Sequence, residues 1–381
     1  MSEEYDSNIV EKNEKANEKA FDIIELLQFA AEQKCSDIHL RVGACPMVRK
    51  DGLMVKTDLP ALTKENMHYI ARITMPEKLL QKSDNNFDFD YSYEIENVAR
   101  YRVNLLHELG NLGFVFRVIP LRIPSMESLF LPPALKNFTA LNNGLVLVTG
   151  PTGSGKTTTL ASILDYLNQS QKKHVITIED PIEFIHTNKN CIFTQRQLEV
   201  DTDTFPNGLK YALRQDPDVI LIGEMRDRDT ISSALKAAET GHLVFSTLHT
   251  IGAVETINRI INAFEPYERE SIRLQVANTL RGTVAQKLAR RMNNKGRVPA
   301  AEIMVVTPAI KDYIVKDEID NIFRLITPND YNGTVDMNTS LSRLVKAGII
   351  SVKEAIQSSN TPEEMEQMLK GVSHSTSGYM E

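Results

Sequence analysis

The chain is poor in cysteine and in long apolar runs, and it has no excess of positive charge. Its three cysteines, Cys35, Cys45 and Cys191, are scattered, and no Cys-x-x-Cys pair occurs. That argues against a disulfide framework and a four-cysteine zinc module, and fits a reducing, cytoplasmic setting. No apolar stretch approaches the roughly 20 residues that span a bilayer, so membrane association is expected only through a partner. The opening residues MSEEYDSNIVEKNEKANEKAF lack the apolar segment of a secretory signal. The net charge is −7, so nucleic acid is not the expected partner. There is no internal repeat and no low-complexity tract.

What is present is ordinary globular sequence: 381 residues, 42% hydrophobic and 24% charged, enough for two domains. Residues 1–20 are nearly all polar and read as a solvated tail. A helical stripe follows over 21–34, then an alternating stretch over 36–56 broken by Gly43, Pro46 and Asp51-Gly52, which predicts a hairpin. Residues 63–82 read as a helix, and 87–93, 100–105 and 113–119 as strands. Residues 21–120 therefore predict a small α+β domain with an antiparallel sheet. Prolines at 120, 124, 132 and 133 mark a linker near 121–128. From 129 to 370 the pattern is α/β: a short helix within 129–141, then apolar strands at 145–149, 174–180, 218–224 and 242–249 alternating with helices. This predicts a mostly parallel, doubly wound sheet whose site lies at the carboxyl ends of the strands. Residues 268–291, 308–316 and 338–370 read as mostly helical, and 371–381 as a polar tail.

The strand Leu145-Val146-Leu147-Val148 runs into Gly150-Pro151-Thr152-Gly153-Ser154-Gly155-Lys156-Thr157-Thr158. Gly150-x-x-x-x-Gly155-Lys156-Thr157 has P-loop spacing. Glycines let the backbone fold around phosphate oxygens, and the following helix offers its free N–H groups and positive dipole end. Lys156 is expected to reach the outer phosphates, and the Thr157 hydroxyl to hold Mg2+.

Three further strand ends carry chemistry. The apolar strand 218–222 leads through Gly223 to Glu224, a Walker B pattern in which the acid holds the Mg2+ shell; Gly223 stands where an aspartate is usual. Glu179-Asp180-Pro181-Ile182-Glu183 sets three carboxylates at another end, with Glu183 expected to orient or deprotonate the attacking water and the other two expected to be structural. His249 ends a strand and is expected near the γ-phosphate, whereas His242 lies about 23 Å back along the same extended strand. Arginines commonly neutralise a transferring phosphoryl group; the candidates are Arg100, Arg102, Arg117, Arg214, Arg226, Arg228 and Arg259. The basic run 288–297 lacks interleaved aromatics and reads as a solvated turn between a helix and a strand.

Together GPTGSGKTT (150–158), ITIEDPIEF (176–184), LRQDPDVILIGEMRD (213–227) and AAETGHLVFSTLHT (237–250) resemble the Walker A, Asp-box, Walker B and His-box of the type II/type IV secretion ATPases. KCSDIHLRVG, RYRVN and GFVFRVIP are similar to that family's PAS-like N-terminal domain. The resemblance implies a RecA-like core, a homohexameric ring with ATP and Mg2+ between subunits, and a cytoplasmic motor docked on an inner-membrane platform protein that acts on pilin indirectly. It supports Glu183 as water-activating and Glu224 as the Walker B acid. It also makes Arg100, Arg102 and Arg117 candidates to reach nucleotide across an interface. The absence of a longer N-terminal region and of a four-cysteine loop favours the pilus-retraction branch. Two departures stand out: Ala309-Ile310-Lys311-Asp312-Tyr313-Ile314-Val315-Lys316 matches that branch's AIRNLIRE segment only in part, and Asn143 replaces a usually basic residue. Accessory or assembly-direction motors are close alternatives. A RecA-like nucleic-acid translocase and a nucleotide switch with scarcely any turnover are more distant ones.

Overall fold

The computed structural model describes residues 21–50, 52–80, 88–119, 121–293, 296–326 and 332–371. The tails expected at 1–20 and 371–381 lie outside these residues, Gly371 excepted, as do Gln81, Lys82 and Phe87 of the expected helix and strand. The chain divides into two compact units between Leu121 and Arg122.

Among its described residues the N-terminal unit holds six strands: β1 (Asp37–Arg41), β2 (Met47–Lys50), β3 (Leu53–Lys56), β4 (Phe89–Ile95), β5 (Ala99–Glu108) and β6 (Asn111–Ile119). They form one antiparallel sheet in the order β3-β2-β1-β6-β5-β4. Strand alternation sends Ala99, Tyr101, Val103 and Leu105 to the core and Arg100, Arg102 and Asn104 to the other face. Helices Ile23–Glu32 and Lys64–Thr74 cover the apolar face with Ile23, Leu26, Leu27, Met67 and Ile70. Both start at side-chain caps. Asp22 accepts from Ile24 N at 2.8 Å, and Thr63 and Asn66 form a reciprocal capping box.

Among its described residues the C-terminal unit contains seven strands: β7 (Gly144–Thr149), β8 (His174–Glu179), β9 (Ile192–Gln197), β10 (Val219–Ile222), β11 (Leu243–Leu248), β12 (Leu280–Arg290) and β13 (Arg297–Val305). The order is β13-β12-β7-β11-β10-β8-β9, parallel except for the β12–β13 pair. Successive residues of each central strand enter different cores. Leu145, Leu147, Ile220 and Ile222 pack with helices Phe205–Ala212, Arg228–Glu239, Ala253–Asn262 and Arg269–Thr279. Val146, Val148, Val219 and Leu221 pack with helix Lys156–Ser170 and with Leu135 and Phe138. Both faces are thus covered, as a parallel sheet requires. Helices Met337–Lys346, Val352–Ser358 and Pro362–Leu369 form a smaller core with β12 and β13.

The expected helix over 268–291 is corrected: it ends at Thr279, and β12 begins at Leu280. Leu280, Val284 and Leu288 are spaced by four, which mimics a helical stripe, but Thr283 and Val284 are β-branched and the segment is flanked by two pairing strands. Gly282 marks a close approach, since a Cβ there would lie 2.5 Å from the Phe138 ring. The basic run therefore sits at a strand–strand hairpin rather than a helix–strand turn. Strand β9 and helix Phe205–Ala212 were not anticipated, whereas β13 is the strand expected after the basic run.

Candidate nucleotide site

Strand β7 is buried over its whole length and ends at Thr149. Helix Lys156–Ser170 starts immediately after Gly155, whose φ of +89° only glycine adopts cheaply. Gly150 has φ +142°, and a Cβ on it would lie 2.4 Å from the Gln286 carbonyl oxygen. The glycines of the motif are thus required by conformation at one end and by close approach at the other. Pro151, Thr152 and Gly153 are exposed, while Ser154 is buried and its Oγ has no hydrogen-bond partner among the described residues. Thr157 and Thr158 occupy the first turn of the helix and are half-buried.

The Lys156 ammonium donates to the carbonyl oxygens of Gly150 at 2.8 Å and Pro151 at 3.2 Å. Burial pulls it below the usual lysine range, and the Glu224 and Glu183 carboxylates oppose that shift. Both acids therefore act electrostatically on the P-loop lysine, although they come from different strand ends.

The strand order explains the meeting. β11 lies between the P-loop strand β7 and the Walker B strand β10, and Leu248 is in register with Thr149. Gly150 N donates to Leu248 O at 3.3 Å, so the following residue, His249, emerges beside the P-loop. His249 Nε2 lies 3.5 Å from Glu224 Oε2, with the histidine half exposed and the glutamate nearly buried. Arg226 forms an ion pair with the same carboxylate.

The strand ends are laced together. Thr247 Oγ1 donates to Gly223 O at 2.7 Å, Ser246 Oγ to Ile222 O at 2.8 Å, and Gly223 N to Ile178 O at 2.8 Å. A Cβ at Gly223 would stand 3.3 Å from both Glu179 Cα and Ile178 O. The missing Walker B aspartate is thus replaced by a close packing contact with β8. Glu179 is buried and accepts from Thr177 Oγ1 at 2.7 Å, a structural arrangement.

His242 lies at the opposite end of β11, where its Nδ1 is 3.0 Å from Ala237 O behind helix Arg228–Glu239. Asn143, just before β7, is also at that far end and accepts from Arg281 Nη2 at 2.8 Å. Arg228 is occupied by Glu268 at 2.5 Å. Arg100, Arg102 and Arg117 lie on the N-terminal sheet and face Glu94, Asp90 and Asp37 at 3.2, 3.7 and 3.0 Å.

One contributor had no signal in sequence. Gln286 of β12 is buried, donates from Nε2 to Ser154 O at 2.6 Å, and accepts from Thr159 Oγ1 at 2.8 Å. It supports the P-loop from behind. Glu302 of β13 accepts from Ala253 N at 3.1 Å, at the start of the helix that follows His249.

The residues present fit a bound nucleoside phosphate: a left-handed glycine cradle, a buried serine hydroxyl, a lysine and two acids. Comparison with known proteins agrees. The family model described as Type II/IV secretion system protein matches residues 13–318. The type IV pilus retraction ATPase PilT of Pseudomonas aeruginosa is 43% identical over 342 residues, covering 90% of this chain and 99% of that protein. The twitching motility protein of Neisseria gonorrhoeae is 39% identical over 346 residues, covering 91% and 92%. The crystal structure of the pilus retraction motor PilT with bound ADP has a TM-score of 0.82 and 41% identity, covering 91% of this chain and 100% of that one. The chain belongs to the type II/IV secretion system protein family.

Proposed function

We propose that this chain is an ATP-hydrolysing motor that drives type IV pilus retraction and thereby twitching motility. The observation that carries the reading is that Glu224 and Glu183 both act on the P-loop lysine, Lys156, with His249 beside Glu224. Near full-length similarity to a pilus retraction ATPase sets the direction.

In this reading Gly150 to Thr158 hold the phosphates of ATP, and Thr157 with Glu224 hold Mg2+, which neutralises phosphate charge when bound. Glu183 orients and deprotonates the attacking water. His249, hydrogen-bonding distance permitting only a loose contact with Glu224, responds to the γ-phosphate through that carboxylate. Arg100, Arg102 and Arg117 contact nucleotide across a homohexamer interface, exchanging their present acidic partners for phosphate. Among the described residues no helix is long and apolar enough to cross a membrane. The motor is proposed to work in the cytoplasm on an inner-membrane platform protein, and on pilin through it.

An accessory or assembly-direction motor is the second reading, favoured by the partial match of residues 309–316 to the AIRNLIRE segment of the retraction branch. The deciding experiment is complementation of a piliated strain lacking its retraction motor. Wild type should restore twitching and clear excess surface pili, and Lys156→Ala should not. Pili that increase on expression would replace retraction with assembly.

A further inference from the structure

The loop that carries Glu183 has no helix or strand of its own between β8 and β9. A loop of this kind holds a side chain still only where its backbone groups are bonded from outside. Two glutamines on one face of β9 supply those bonds. Gln197 Oε1 accepts from Ile182 N at 3.3 Å. Gln195 Oε1 accepts from His186 N at 2.8 Å, and its Nε2 donates to Phe184 O at 2.9 Å. The same Nε2 is 3.4 Å from Glu179 Oε1, on the strand that launches the loop. The facing donor and acceptor leave one amide orientation possible, so both ends of the Gln195 side chain are committed.

These contacts bracket one residue. Ile182 and Phe184 are buried on either side of Glu183, and the bonds fall at positions 182, 184 and 186. His186 adds a second anchor, its ring stacked on Phe193 of β9 at 4.4 Å and 9°. The loop is thus fastened to β9 at alternate residues, and the carboxylate between the fastenings is the one that acts on Lys156.

We propose that Gln195 is a positioning residue for ATP hydrolysis, holding the 182–186 loop so that Glu183 addresses the attacking water. This rests on the reading of Glu183 as the water-activating group. Gln195 itself makes its described contacts with loop backbone and with Glu179, so its effect on the reaction passes through Glu183.

The test uses the full chain. In Gln195→Leu, kcat for ATP hydrolysis should fall about 10- to 100-fold, as for a small displacement of a reacting group. The Kd for a fluorescent ATP analogue should stay within about twofold. In a Glu183→Gln background, single-turnover measurements should show no further loss from Gln195→Leu, because residues acting through one group are not additive. A wild-type kcat in Gln195→Leu, or a full multiplicative loss in the double variant, overturns the positioning role alone. Wild-type turnover in Glu183→Gln overturns the reading of Glu183 and this inference with it. Should the leucine variant lose its cooperative melt, Gln195→Glu decides: it keeps the oxygen that accepts from His186 N and loses the donor to Phe184 O. The same fall in kcat at unchanged ATP affinity supports the role, and unchanged kcat overturns it.

Discussion

Gln286 Nε2 donates to the Ser154 carbonyl oxygen at 2.6 Å, which ties the P-loop to strand β12 across more than a hundred residues of chain. The side chain's oxygen accepts from Thr159 Oγ1, so one buried amide fixes both the turn and the first part of the following helix. Replacing it by leucine strands two buried partners, each worth about 1–3 kcal/mol. Gln286→Leu should therefore lose about 2–6 kcal/mol in urea unfolding. ATP affinity should drop by about tenfold or more. Isothermal titration beside denaturant melts checks both; unchanged ATP affinity would mean that the P-loop holds its shape without β12.

His186 gives the fold a predictable acid sensitivity. Burial pushes its imidazole down to about 4, with Asp165 opposing and Lys189 reinforcing the shift, and Nδ1 has no hydrogen-bond partner among the described residues. The unfolded chain takes up this proton near 6.5, and the folded one not until about 4. Stability should then fall as pH drops from 6.5 to about 4 and level off below, by up to about 3 kcal/mol from this group. His186→Phe keeps a ring against Phe193 and should flatten that part of the pH–stability curve. An equally steep curve in the variant would place the sensitivity elsewhere.

Glu302 predicts the opposite sign. Burial raises its carboxyl above the ordinary 4.5, and the bond from Ala253 N pulls the other way. The folded state therefore holds this proton more tightly than the unfolded chain. Its stabilising effect is complete below 4.5 and is lost as pH rises through the folded value. Glu302→Gln keeps an acceptor for Ala253 N and should melt higher than wild type at pH 7, with the gain vanishing near pH 4. Glu302→Ala also removes the acceptor and should be about 1–3 kcal/mol less stable than Glu302→Gln at any pH.

The part of the site that was legible in sequence is the part whose chemistry is local. Gly150, Gly155, Lys156 and Thr157 sit in one turn, and their spacing alone specifies a phosphate cradle. Glu183, Glu224 and His249 were visible because each follows an apolar strand, and parallel strands bring such ends together. The supports were not visible. Gln286, Gln195 and Glu302 are polar residues inside strands, where nothing in the neighbouring sequence tells a buried bond from a solvated side chain. β12 was hidden for a related reason, since Leu280, Val284 and Leu288 repeat at the helical interval while their neighbours pair with β7 and β13. Gly223 looked like a lost aspartate and is a packing contact with β8.

The most direct test of the account is phosphate release by the purified protein, wild type beside Glu183→Gln, with ATP binding measured on both. The account predicts that the variant binds ATP as wild type does while turnover falls by about 100-fold or more, the usual contribution of a general base. Turnover near wild type in Glu183→Gln would contradict it.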